Sequence, residues 1–103
     1  MTVEVIRSVA LAAVPHGFLG RRGGVSTGEM AELNVGFGSG DDREAIARNR
    51  ELAIAAVLPG AELATVHQIH SNAVATVDRP WPQDERPHAD AMVTKRPGLL
   101  LGI

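Results

Sequence analysis

The chain has 103 residues, 45% of them hydrophobic but only 3% aromatic, a formal net charge of −2 and no cysteine. That length fits one domain, whose folding would remove roughly two-thirds of its surface from water and whose core would be aliphatic. The charge leaves no electrostatic footprint for nucleic acid or an anionic membrane, and the lack of cysteine excludes disulfides and thiol chemistry within these residues. No apolar run approaches membrane-spanning length. The alanine-rich stretch 9–14 is shorter than a signal-peptide core and follows Glu4 as well as Arg7, so a cytoplasmic location is the expectation.

Residues 3–6 alternate weakly with charge, as an edge or half-buried strand would, and the apolar stretch 9–14 is broken by Pro15-His16-Gly17. Gly20-Arg21-Arg22-Gly23-Gly24 reads in two ways. It is either a turn needing positive φ with solvated arginines, or a loop whose bare amides and guanidinium hold an anion such as phosphate. Gly36-Phe37-Gly38-Ser39-Gly40 lacks the spacing of a nucleotide loop, and Asp41 with Asp42 would repel phosphate there. Asp41 is instead the expected helix cap, with Glu44 completing a box-like pattern. A helix is predicted over 42–57. Its buried face carries Ile46, Asn49, Ala53, Ala56 and Val57 with Leu52 beside them, its open side Arg43, Glu44, Arg50 and Glu51, and Pro59-Gly60 ends it. An amide on the buried face must find partners, so Asn49 is expected to tie the helix to a neighbouring loop.

Residues 64–72 set His67 and His70 into an apolar, β-branched run, which predicts a strand. Strand alternation would place the two imidazoles on opposite faces, so only one can look into a given site. His70 has the better claim because it stands where the strand meets a loop. A strand-end histidine satisfied by backbone groups is the plainer account of the spacing alone. Another strand is predicted over 73–77. Residues 79–87 read as a proline-broken, charged, exposed excursion, and His88 as a solvated loop histidine. Strands over 91–94 and 99–103 are joined through 95–98, where Pro97-Gly98 suits a type II turn. One helix among several strands in no strict alternation makes the fold class α+β.

Five segments, in order, resemble the YfiH/YlmD family, also called the multicopper polyphenol oxidase or laccase-domain family. Arg21-Arg22-Gly23-Gly24-Val25-Ser26 resembles its Thr-Arg-x-Gly-Gly-Val-Ser segment, with Gly20 in place of the Thr. Leu33-Asn34-Val35-Gly36 is similar to Leu-Asn-Leu-Gly, and Gly40-Asp41-Asp42 followed by Asn49-Arg50 to its Gly-Asp…Asn-Arg helix. Gln68-Ile69-His70-Ser71 resembles Gln-Val-His-Gly/Ser, and Ala89-Asp90-Ala91-Met92-Val93-Thr94 resembles Ala-Asp-Ala-Leu-Val-Thr. The combination, covering about residues 16–103, is specific even though each motif alone is weak.

The resemblance implies layered mixed β-sheets flanked by helices, with a site at strand ends and loops. It implies a catalytic zinc held by three protein ligands, of which only His70 is matched here. The family's Thr-Ala-Asp-Cys and His-Ala-Gly-Trp-Arg-Gly segments supply the other two. The chain ends in an apolar strand, so it is expected to be the N-terminal portion of a single such domain, cut before those segments. The activities implied are phosphorolysis of adenosine, inosine or S-methyl-5'-thioadenosine, and deamination of adenosine. Purine nucleosides and phosphate are then the partners, with Arg21 and Ser26 the candidates for phosphate and Asn34 for substrate or for bracing a loop. Residues 1–103 alone are expected to be inactive, to bind zinc weakly and to associate through the edge of strand 99–103. The alternatives are copper-dependent (Cu2+) polyphenol oxidation, which needs more histidines than the four present, and a metal-free binding or structural domain.

Overall fold

The computed structural model describes residues 2–103, which fall into two compact units, one ending at Pro59 and the other Gly60–Ile103. One α-helix and small parallel and antiparallel sheets make it the α+β fold expected. Among the described residues, no helix is long and apolar enough to cross a membrane.

In the first unit, strand β1 (Val5–Ile6) pairs antiparallel with β2 (Phe18–Leu19), Val5 opposite Leu19 and Ile6 opposite Phe18. The pairing is shorter than the predicted strand, and the stretch between holds a single 3-10 turn, Val9–Leu11. His16 closes this excursion. Its Nε2 accepts the Ser8 N–H at 2.8 Å, so the ring proton sits on Nδ1 and is donated to the Val14 carbonyl at 2.9 Å.

Helix α1 (Arg43–Val57) forms where its cap and periodicity predict. The cap is Asp42, whose side chain accepts the Ala45 N–H at 3.3 Å, and not Asp41. The Asp41 carboxylate is drawn elsewhere, taking the Ser26 hydroxyl and the Asn34 amide. Ile46, Asn49 and Ala53 are the buried residues of the helix; burying Ile46 contributes about 1.5–3 kcal/mol. Arg50, off the apolar face as expected, is half-buried. Its Nε donates to the Val35 carbonyl at 2.7 Å and its guanidinium lies 4.5 Å from the Phe37 ring centroid, with that of Arg43 at 5.0 Å.

Gly23 and Gly24 show why the Arg-Arg-Gly-Gly turn needs bare backbone. Gly23 has φ +95°, and a Cβ on Gly24 would stand 2.2 Å from the Glu32 carbonyl oxygen and 2.5 Å from the Leu33 Cα. Both obstacles are backbone and cannot swing aside. Gly24→Ala is therefore expected to lower unfolding free energy by about 2–3 kcal/mol, read from a urea midpoint. A variant as stable as the parent would show that this strand-like approach relaxes freely.

In the second unit, β3 (Glu62–Thr65) pairs in parallel with β6 (Leu99–Gly102), and β4 (Val74–Thr76) in parallel with β5 (Ala91–Val93). The two strands joined through Pro97-Gly98 thus take other partners, while Gly98 has the positive φ, +82°, that the turn required. Ala64, Val77 and Leu99 form the buried cluster, with Trp81, Met92 and Leu101 packed on it. Trp81 and Arg86 correct the expectation of an exposed excursion over 79–87. Trp81 covers the core, and the Arg86 Nη1 donates to the Thr65 hydroxyl at 3.2 Å and to the Val66 carbonyl at 3.0 Å.

Candidate functional site: the His70 turn and the Ser26–Asp41 network

The strand predicted over 64–72 ends at Thr65. Beyond it the backbone makes one isolated bridge, His67 with His88, through the His67 N–H on the Pro87 carbonyl and the Ala89 N–H on the His67 carbonyl. The two imidazoles lie with centroids 4.7 Å apart, which places His88 beside a partner as well as solvent. His67 and His70 therefore do not share a strand, and the alternation argument for opposite faces does not apply to them. What separates them is their engagement: the His67 ring meets His88, whereas His70 sits in a turn.

That turn is built around Asp90. One carboxylate oxygen, Oδ1, accepts the Ile69 N–H at 3.2 Å, the Ser71 N–H at 2.8 Å and the Ser71 hydroxyl at 2.7 Å. The other, Oδ2, accepts the His70 N–H at 2.9 Å. Three successive amides that a longer strand would have given to a ladder are satisfied by one side chain. The Ser71 amide and hydroxyl, with the Ile69 and His70 amides, outweigh partial desolvation and hold the Asp90 carboxyl at a pKa of about 2, well below its usual range. His70 adopts φ +61°, the left-handed region that non-glycine residues seldom enter, and its side chain is exposed. No signal from spacing singled out Asp90; an acid between two alanines at a strand entrance is the trace it leaves in the sequence.

The other candidates lie in the first unit. Ser26 is buried, donates its hydroxyl to Asp41 Oδ2 and accepts the Asn49 amide at 2.9 Å. Asn34 donates to the Ser39 hydroxyl at 2.7 Å and to Asp41 Oδ2 at 3.2 Å, and its Oδ1 accepts the Gly36 N–H at 3.2 Å. Ser26 and Asn34 are thus joined through Asp41, whose carboxyl is held low first by the Ser26 hydroxyl and then by the Asn34 amide. Asn49 ties helix to loop as expected: it accepts the Val25 N–H at 2.7 Å and donates to the Asn34 carbonyl at 2.8 Å. Arg21 is exposed, with Nε on the Ala31 carbonyl at 3.0 Å, while its own carbonyl receives the Glu32 and Leu33 amides.

Among the described residues, no three His, Cys, Asp or Glu side chains gather to hold a metal ion. His70 can supply one ligand, and these residues do not by themselves compose a three-ligand site.

The chain is thus an α+β fold that presents an exposed His70 on a turn bound by the Asp90 carboxylate. The chain belongs to the multi-copper polyphenol oxidoreductase laccase family (YfiH/DUF152), whose model matches residues 15–103. It is 42% identical over 88 residues to a Streptomyces coelicolor protein named purine nucleoside phosphorylase, covering 84% of this chain and 36% of that protein. A Streptomyces griseus protein of the same name is 44% identical over 88 residues, with the same two coverages. One from Deinococcus radiodurans is 38% identical over 93 residues, covering 88% of this chain and 34% of that protein. The crystal structure of a Neisseria meningitidis DUF152 protein superposes with a TM-score of 0.74 at 30% identity, over 98% of this chain and 40% of that one. The chain thus spans about a third of the length of the curated relatives it matches.

Proposed function

We propose that the protein containing this chain is a zinc-dependent purine nucleoside phosphorylase acting on adenosine, inosine and S-methyl-5'-thioadenosine, with adenosine deaminase activity. The reading is supported by relatives named purine nucleoside phosphorylase at 38–44% identity, and above all by His70, an exposed imidazole on a turn whose Ile69, His70 and Ser71 amides are bound by Asp90. His70 would give zinc one nitrogen, with the remaining ligands supplied from outside these residues. Bound zinc would polarise an oxygen of water or substrate.

Phosphorolysis also needs an anion site, and Arg21 is the residue proposed to form it. The Ser26 hydroxyl is less suited to that role than the motif suggested, because it is buried and donates to a carboxylate that would repel phosphate. Ser26 and Asn34 are proposed to hold the loops around Arg21: the Ser26 N–H donates to the Glu32 carbonyl at 2.9 Å, beside the amides that clasp Arg21. Arg21→Ala is expected to raise the phosphate KM about tenfold while deamination, which uses water, changes little. Parallel loss of both activities would mark Arg21 as structural or as a contact to the nucleoside.

The deciding experiment expresses the whole reading frame, measures its zinc and copper content, and assays phosphorolysis of the three nucleosides beside phenol oxidation. Zinc with phosphate-dependent release of purine supports the proposal. Copper with phenol oxidation, or a metal-free protein without turnover, would replace it by one of the two alternatives.

A further inference from the structure

We propose that Asp90 is a positioning residue for His70, its carboxylate fixing the left-handed turn from which the imidazole projects. The inference rests on the reading of His70 as the reactive-site histidine. Among the described residues the His70 ring makes no hydrogen bond, and the side chain is exposed. Nothing on the ring itself therefore sets its direction. That direction is inherited from the backbone, and the backbone stands at φ +61°, where a histidine stays only if its surroundings hold it. The surroundings are the Asp90 carboxylate.

The donor set explains why an aspartate is needed. Ile69 N–H, His70 N–H, Ser71 N–H and the Ser71 hydroxyl all donate, so the receiving group must accept at both oxygens. An asparagine would keep the size but turn an N–H2 toward one of these donors. The backbone N–H of Asp90 donates to the Ala73 carbonyl at 3.0 Å, and Ala73 N–H donates to the Ser71 hydroxyl at 3.2 Å. Neither bond needs the carboxylate, so the entrance to β5 survives the substitution. Two segments twenty residues apart, Gln-Ile-His-Ser and Ala-Asp-Ala, thereby form a single device.

The test uses the whole protein. In Asp90→Asn, amide hydrogen exchange at residues 69–71 should quicken at least tenfold, and the His70 ring signals in NMR spectra should shift and broaden while those of His67 stay. Phosphorolysis kcat should fall about 10–100-fold, with the phosphate KM within about threefold of wild type. Ser71→Ala, which removes one of four donors, should give smaller changes of the same kind and serves if Asp90→Asn fails to fold. Unchanged exchange at residues 69–71, or lost activity with unmoved His70 signals, would overturn the positioning role. A wild-type protein without phosphorolysis, or full activity in His70→Ala, would defeat the functional reading alone, because the exchange measurement involves no turnover.

Discussion

His70→Ala in the whole protein is expected to lower phosphorolysis about a hundredfold or more, and His67→Ala to leave it within about threefold. The asymmetry follows from what each ring touches. His67 is exposed and lies 4.7 Å from the His88 centroid, a contact on the rim of the unit whose loss costs little. His70 is the residue the Asp90 turn presents. Alanine enters φ +61° less readily than histidine and so adds a cost of its own, about 0.5 kcal/mol of stability, that a loss of activity alone would not separate from chemistry. His70→Asn answers this, since asparagine tolerates the left-handed region while removing the imidazole. Both His70 variants should lose turnover, with only the alanine variant less stable in urea. Equal losses in His67→Ala and His70→Asn, with the fold intact by circular dichroism, would end the assignment of His70 as the one reactive histidine of the pair.

The largest effect on stability is expected at Asn49. Its side chain is fully buried and makes three bonds outside its own helix, to the Val25 N–H, the Ser26 hydroxyl and the Asn34 carbonyl. Asn49→Leu keeps the branching and the number of heavy atoms but leaves the Val25 amide and the Asn34 carbonyl without these partners. At about 1–3 kcal/mol for each stranded group, the variant should lose about 3–5 kcal/mol. Asn49→Asp should fare no better. It removes both N–H donors and sets a second negative charge against the hydroxyl already held by Asp41. The check is equilibrium unfolding in urea at constant slope. A loss below about 1 kcal/mol in Asn49→Leu would mean that water replaces the amide, and that the helix and the Gly-Gly-Val-Ser loop are joined some other way.

Local chemistry was legible wherever its cause lies within a turn or two of chain. An aspartate before an apolar period of 3.6, closed by Pro-Gly, determines helix α1, and one amide on its apolar face determines that a loop must come to meet it. The positive φ at Gly98 follows from Pro-Gly in the same way. The order of the five motifs, too, points to the family from the sequence alone.

What the sequence by itself could not determine is which of two adjacent groups wins a distant partner. The local pattern favoured Asp41 as the cap; Ser26 and Asn34, fifteen and seven residues away, draw Asp41 aside and leave the helix to Asp42. Residues 64–72 have the composition of one strand, yet the ladder stops at Thr65 because Asp90, about twenty residues on, offers the Ile69, His70 and Ser71 amides a charged acceptor. Charge-assisted bonds to three amides compete well with a neutral ladder, and only the folded chain brings that carboxylate within reach. Residues 79–87 look solvated by composition, but Trp81 and Arg86 find an apolar cluster and two oxygens that other segments supply. The helix and the family were thus matters of local pattern, whereas the turn that presents His70 was decided by tertiary structure, because its acceptor lies far along the chain.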